Sequence, residues 1–296
     1  MKRGGDELRV YRVEDVPLRE VSGICLRRGA RGELSLIALG DRAATAVWFV
    51  QPSDDTAALD WQASDLTAIE GTRLRMDDPQ IEAVCADGAG RVLLLQEWPP
   101  RTELIDPVTR RVAASVALEV PGHDALARSW ADPGSSHGEG AVLLPGGHLI
   151  IAKEKDQPVL IEFGPPGDAA IGFSRGGGLP AGVAWAIEPG DHRYVPLAVW
   201  SPDKALAKAC ADFSDLEIGP DGHLYLLSDQ SASIARLSDL PPSGGTVSAT
   251  ATWRLGDQGG KPEGLAFTPN GRAIVGLDTR KARHNLLLFE PPIATA

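Results

Sequence analysis

The chain has 296 residues, a formal charge of −11 and a sequence pI near 5.0. No Lys/Arg cluster offers the basic face that displaces counterions from phosphates, which excludes a nucleic-acid binder. No window approaches the ~20 apolar residues of a membrane span, and no apolar segment follows the two basic residues at the N-terminus, so neither a membrane anchor nor a secretory leader is expected. Three cysteines, Cys25, Cys85 and Cys210, form an odd set without metal-ligand spacing and read as buried core thiols of a cytoplasmic protein.

In chain order, residues 7–14 alternate well enough for a strand. A first unit follows, with inner strands at Ile24–Leu26 and Leu34–Leu39 and an outer strand holding Trp48 and Phe49. A second holds Ile81–Cys85, Arg91–Leu95, Thr102–Ile105 and Val112–Leu118, with a Pro-containing polar turn between the last two. Runs such as Val92–Leu95 and Leu149–Ile151 are apolar at every position, which fits strands covered on both faces. His123–Ala131 reads as a short helix. Ser201 as N-cap and Pro202 at the first helical position predict another over Lys204–Cys210. Gly172–Gly176 matches the Gly-x-Ser-x-Gly nucleophile elbow, but Gly177, Gly178 and Pro180 deny it the helix that motif requires.

The stretch Glu139–Glu154 organises the rest. It reads as a hairpin: a small residue after the opening acid, an apolar run, a Pro-Gly-Gly turn, a second apolar run and a closing acid. The same layout joins Glu82 to Glu97, Ser214 to Asp229 and Glu263 to Asp278, and a looser copy joins Ser22 to Asp41. The opening positions lie roughly 50–75 residues apart, the scale of a strand-built closed array. The position after each opening residue is Gly23, Ala83, Gly140, Asp215 or Gly264, small in four of the five copies, as expected where chains crowd toward one axis. The expected fold is all-β: a single β-propeller spanning 1–296, with five four-stranded blades and six as the alternative. The last blade is one strand short, so the N-terminal strand is expected to complete it and close the ring.

An antiparallel hairpin places its first and last residues side by side, so the acids should gather at one mouth of the central channel. Two carboxylates ~6 Å apart repel by about 3 kcal/mol at an effective dielectric of ~20. Three remedies exist: a bound cation, basic partners, or raised pKa values. Arg42, Arg101, Lys153, Lys261 and Arg280 fall within a few residues of the ring and supply the second. All-oxygen ligands select Ca²⁺ for the first. His137, two residues before Glu139, is a candidate base, and Trp98, directly after Glu97, a candidate pocket floor.

The segments Glu139-Gly140-Ala141, Ala152–Lys155, Asp212–Leu216, Leu227–Asp229 and Pro262–Leu265 resemble the SdiA-regulated family of β-propellers and, more distantly, esterase-like phytase domains. The resemblance runs from Val16 to the C-terminus and departs at Ala83, where the family has Gly. It implies a propeller with a polar axial site, in some members with bound Ca²⁺, built on Ser22, Glu82, Glu139, Ser214 and Glu263 with the acids Asp41, Glu97, Glu154, Asp229 and Asp278.

Two functions are expected. The first is a metal-assisted hydrolase or lyase of a small ester, lactone or phosphoester. Its Ca²⁺ ligands would come from Glu82, Glu139, Asp215, Asp229, Glu263 and Asp278, its acid–base groups from His137, Glu154 and Lys153, and its substrate contacts from Glu97, Trp98, Arg101, Asp41, Arg42 and Arg280. The second is a non-catalytic propeller that holds a small ligand or a protein partner on its loop face.

Overall fold

The apolar runs are strands buried on both faces, and alternate residues of one strand serve two different cores. Leu93 and Leu95 pack toward Leu149, Ile151 and Phe163, whereas Val92 and Leu94 pack toward Cys25, Ile37 and Leu39. Ile150 and Ala152 turn the other way, to Leu216, Leu224 and Leu226. Period-2 side-chain geometry makes each sheet the wall between two apolar layers.

The structure, a computed structural model, describes residues 6–29, 32–50, 59–75, 77–155, 157–257, 259–290 and 293–294. The start of the chain at Met1–Gly5 and the Pro291-Pro292 tail lie outside the described residues. Among those described, the strands sort into blades with four antiparallel strands each, and blades 2 and 3 are joined into one sheet by a parallel pairing of Ala114–Leu118 with Gly190–Tyr194. Blade 1 comprises Val21–Arg28, Leu34–Gly40, Thr45–Val50 and Gln62–Asp65, and blade 2 comprises Ile81–Ala86, Val92–Gln96, Arg101–Asp106 and Arg111–Leu118. Blade 3 comprises Gly138–Leu143, Leu149–Lys153, Val159–Gly164 and Gly190–Pro202. Blade 4 comprises Asp215–Ile218, Leu224–Ser228, Ser233–Leu237 and Ala249–Arg254. Blade 5 takes Lys261–Phe267, Ala273–Asp278 and Leu286–Glu290 from the C-terminal end and Arg9–Glu14 from the N-terminal end.

The first strand of each blade touches the first strand of the next, and that of blade 5 touches that of blade 1. The ring is closed, and the chain is a β-propeller. The N-terminal strand closes it as the sequence predicts, with Arg9 opposite Glu290 and Glu14 opposite Leu286. Just before it, Asp6–Glu7 pairs in parallel with Trp253–Arg254 of blade 4, so one segment ties two blades. Asn285, wholly buried, clips the same segment: its Oδ1 accepts from Val16 N (2.7 Å) and its Nδ2 donates to Leu18 O (2.8 Å). This clip joins residues some 270 positions apart, and no local pattern announces it.

Close approach at the hub follows from the small residues after each anchor. A Cβ on Gly140 would lie 2.5 Å from Leu216 N and 2.8 Å from Asp215 Cα; one on Gly264 would lie 2.9 Å from Ile24 N, and one on Gly23 would lie 3.2 Å from Ala83 Cα. Blade 4 carries Asp215 at this position and uses it differently. Its buried carboxylate accepts from its own Leu216 N–H (2.7 Å) and from Leu265 N–H of blade 5 (2.6 Å), which locks one blade to the next.

One expectation needs correction. The helix near residue 203 spans Lys204–Ala209 and is capped by Asp203, whose carboxylate accepts from Leu206 N (2.7 Å). Ser201 and Pro202 belong instead to the preceding strand, where they pair with Thr246 and Val247. The interval before blade 4 holds no further blade among the described residues. Residues 165–189 run irregularly over the blade faces, anchored by Trp185, whose N–H reaches Asp87 Oδ2 (3.0 Å) and whose indole reaches His148 O (2.9 Å). Ser174 of the elbow-like motif is an exposed residue of this loop. The short helix read over His123–Ala131 is present as Ala125–Trp130, capped by Asp124.

Candidate active site at the acidic mouth

Four of the anchors share one backbone device. Val21 faces Gly40 while Gly23 faces Leu39, leaving Ser22 as the extra residue of a β-bulge. The same shift isolates Glu82 between Ile81 and Ala83, Glu139 between Gly138 and Gly140, and Glu263 between Pro262 and Gly264. A bulge leaves one residue out of the ladder and re-aims its side chain. On the inner strands of a propeller that direction is the axis. In blade 4 the amides of the Ser214–Asp215 step both lie against Leu227, and Ser214 Oγ accepts from Asp229 N (2.9 Å).

The bulged glutamates of blades 2, 3 and 5 lie within electrostatic reach of one another. Glu82 feels the charges of Glu139, Asp41, Glu97 and Glu263; Glu139 feels those of Glu154, Glu97 and Glu263. Burial first, and this mutual repulsion second, hold Glu82 and Glu139 well above the usual carboxyl range. Burial together with Asp278 pushes Glu263 up to about 8. Asp41 and Asp229 are also raised, chiefly by burial. Asp41 and Glu82 share a side-chain hydrogen bond across blades 1 and 2, which requires a proton on one of them. All three glutamates keep some solvent-accessible surface although protein surrounds them.

Cations compensate part of the charge. Lys261 Nζ lies 3.7 Å from Glu263 and 3.9 Å from Asp278, and the Glu263 charge raises its pKa. Lys155 pairs with Glu154, which also accepts from Ser136 Oγ (2.8 Å). Burial pulls the Lys155 ammonium down, but Glu154 and Glu139 carry it above its ordinary value. Arg42 reaches Asp41 at 3.5 Å from an exposed position.

On the blade 2–blade 3 side, Glu97 accepts from the His137 backbone N–H (3.2 Å). The His137 ring is wholly buried between Trp98 and Trp130, with centroids 5.2 and 5.5 Å away. Its Nε2 meets the Trp130 carbonyl at 2.9 Å and therefore carries a hydrogen. Its Nδ1 is buried without a hydrogen-bond partner and lies 3.9 Å from Glu97 Oε1.

The structure thus brings Asp41, Glu82, Glu97, Glu139, Glu154, Asp229, Glu263 and Asp278 to one mouth, with Arg42 and Trp98 beside them. The remaining expected site residues are placed elsewhere or otherwise engaged. Asp215 is committed to two backbone amides and has no oxygen turned to a ligand. Lys153 is wholly buried beneath the mouth, its ammonium donating to the Lys155 carbonyl. Arg101 donates through Nη1 to Arg73 O (2.9 Å), away from the ring acids, and Arg280 is exposed on the loop after Asp278. His137 is sealed from solvent, so it stands behind Glu97 instead of meeting a ligand. Calcium takes 6–8 oxygens from converging ligands. Among the described residues no three of His, Cys, Asp or Glu converge tightly enough to hold a metal. With Asp215 engaged and Lys261 between Glu263 and Asp278, the donor set as arranged does not fit the ion.

Sequence reasoning passed over Asp212, which accepts from Gln230 N (3.2 Å) and presses on Asp229, and Glu217, which burial pushes up to about 8. Glu217 had a legible signal. It lies two residues beyond Asp215 on an inner strand, the alternation that puts both on one face.

No family model matches the chain, and no curated protein matches it. Solved structures do. A calcium-binding protein, regucalcin, from Agrobacterium tumefaciens strain C58 aligns over 96% of this chain and 95% of its own, with TM-score 0.50 and 10% identity. A luciferin-regenerating enzyme aligns over 96% of each chain with TM-score 0.47 and 12% identity. A Bacteroides caccae protein of unknown function aligns over 82% of this chain with TM-score 0.39 and 16% identity, and the alignment spans 65% of that protein's length. At such identities the likeness is one of fold.

Proposed function

We propose that the chain is a hydrolase or lyase of small esters or lactones acting at the acidic mouth. The observation that carries this reading is the pairing of unlike carboxyl groups: Glu82, Glu139 and Glu263, driven above their ordinary range, beside Glu97, oriented by the His137 N–H and 18% exposed. Carboxyl groups whose environments differ in this way are the usual source of a general acid and a general base. Glu97 takes a proton from water, the resulting hydroxide adds to the carbonyl carbon, and Glu139 delivers its proton to the departing oxygen. Glu97 ends with one proton and Glu139 lacks one, so the step balances. His137 acts through Glu97 as a positioning residue. Calcium-assisted chemistry remains the expectation of the resemblance and of the regucalcin likeness, but no step is routed through a metal that these side chains do not cradle.

The test is hydrolysis of a panel of small aryl esters and lactones by the wild type, Glu139→Gln and Glu97→Gln. The expected result is a loss of about 10²–10⁴ in kcat/KM for each variant at an unchanged melting temperature. Full activity in both, or no turnover of any panel member by the wild type, overturns the reading. The second reading, a non-catalytic binder, draws on an open groove of about 370 Å³ beside Asp229, within the usual size of small-ligand sites.

A further inference from the structure

The acid–base pair moves the protons of the reaction, but negative charge also builds on the carbonyl oxygen as hydroxide adds. A preorganised donor or cation beside that oxygen is usually the largest single contribution to such a step. Among the described residues three cations pair with carboxylates of the mouth, Arg42, Lys155 and Lys261. Arg42 reaches Asp41 from a side chain 74% exposed, and Lys261 stands on blade 5 between Glu263 and Asp278. Lys155 instead bears on Glu139, the acid that meets the departing oxygen, and on Asp229 of blade 4. In turn it feels Glu154, Glu139 and Asp212, so its ammonium stands where blades 3 and 4 meet at the mouth.

The chain holds Lys155 there from two sides. Lys153 ends the second strand of blade 3, opposite Gly138 and Val159, and alternation puts its side chain on the face of Ile151, between blades 2 and 3. It is wholly buried, and its ammonium donates to the Lys155 carbonyl, which fixes the backbone as it leaves the strand. Glu154, with a side chain 10% exposed, accepts from Ser136 Oγ (2.8 Å) and pairs with the Lys155 ammonium, so the partner of that ammonium is itself anchored. The Lys155 side chain is 53% exposed and open to a ligand. An ammonium has three hydrogens, and one carboxylate does not exhaust them. Against the pull of burial, Glu154 and Glu139 hold it above its ordinary value, so it keeps its charge at neutral pH.

Building on the hydrolase reading, we infer that Lys155 is its electrophilic residue: the ammonium donates to the carbonyl oxygen of the ester or lactone and holds the oxyanion that forms there. When hydroxide adds, the carbonyl π pair moves onto oxygen and meets the Lys155 N–H. When that pair returns, the bond to the departing oxygen breaks and Glu139 supplies the proton. Lys155 begins and ends the cycle as an ammonium, so the step balances.

Two measurements on the full chain separate this inference from the reading it rests on. The first is kcat and KM for δ-valerolactone and 4-nitrophenyl acetate. Lys155→Met should lose about 10²–10³ in kcat with little change in KM, and Lys155→Arg, which keeps a cationic donor, should restore most of that loss. The second is carbon-13 NMR of carbonyl-labelled cyclohexanone, the carbocycle that mimics the lactone but cannot be hydrolysed. Its carbonyl resonance should move downfield on binding to the wild type and to Lys155→Arg, and stay in place with Lys155→Met. Glu154→Gln, which breaks the same ion pair but keeps the ammonium, should retain the shift, so a role confined to that pair would show itself by losing it. A downfield shift without turnover of either substrate supports Lys155 as the partner of the carbonyl and sinks the hydrolase. Turnover by Lys155→Met as fast as by the wild type overturns the inference and leaves the hydrolase standing. Absence of the shift in the wild type overturns the inference as well.

Discussion

Adding one methyl group at Gly140 tests how the hub is built. Its Cβ would sit 2.5 Å from Leu216 N and 2.8 Å from Asp215 Cα and C, all backbone atoms of the next blade's inner strand. Neither strand can yield without disturbing the Asp215 hydrogen bonds at 2.6 and 2.7 Å. Overpacking of a rigid site costs about 1–3 kcal/mol, and leaving a buried amide without its acceptor adds roughly 1–3 kcal/mol. Against this stands the reduced entropy of the unfolded chain, about 0.4–1 kcal/mol in favour of alanine. Gly140→Ala should therefore destabilise by about 2–5 kcal/mol. Gly23→Ala meets Ala83 Cα and Val84 N at 3.2 Å, a contact that a shift of a few tenths of an ångström relieves. That substitution should fall within about 1 kcal/mol of neutral, since crowding and entropy offset. Gly264→Ala, at 2.9 Å from Ile24 N, belongs between them. Urea unfolding gives the three midpoints. Equal midpoints for Gly140→Ala and Gly23→Ala would refute the backbone-to-backbone packing proposed for the hub.

Other expectations follow from the same geometry. Asp215→Ala leaves two buried amides without acceptors and should cost about 2–5 kcal/mol in urea, with Asp215→Asn recovering part of it; a cost below about 0.5 kcal/mol would mean the brace carries nothing. Because the folded chain holds protons on Glu263 and Glu217 to about pH 8 while an unfolded glutamate loses its proton near 4.5, stability should be greatest below the unfolded value. It should fall as pH rises across that window, and Glu263→Gln should flatten the fall; a melting temperature that climbs from pH 5 to pH 8 would contradict the shifts. Removal of residues 1–14 strips the strand paired with Leu286–Glu290 and should abolish cooperative unfolding in a thermal scan, whereas a normal melt would show that the ring closes without it.

Much of the ring was legible because it is written in short-range chemistry. Pro-Gly, Asp-Gly and Asn-Gly turns mark the inner hairpins of blades 3, 4 and 5, with Gly146, Gly222 and Gly271 at φ of 74°, 79° and 83°. All-apolar runs announce strands covered on both sides, and equal hairpin lengths bring Glu139 and Glu154, or Glu263 and Asp278, to one end. The bulges were not legible, since the extra residue shows only when two strands are laid in register. The fate of Asp215 was hidden for a related reason: its partner amide belongs to Leu265, fifty residues on. His137 was found from its place before Glu139, but its burial depends on Trp98 and Trp130, which reach it from different segments. The choice among metal, lysine and proton as the remedy for crowded acids turns on side-chain convergence, which spacing along the chain does not encode.

The central claim is that glutamates from separate blades gather at the mouth, where burial and mutual repulsion hold their carboxyl groups above the ordinary range. Carbon-13 NMR of the protein labelled at glutamate Cδ, titrated across pH and assigned with Glu82→Gln, Glu139→Gln and Glu263→Gln, reads this directly. The account predicts that Glu82, Glu139 and Glu263 all titrate above the ordinary value, Glu263 near 8, and that removing Glu263 lowers the titration points of Glu82 and Glu139. Independent titration of all three near the ordinary value of 4.5 would contradict it.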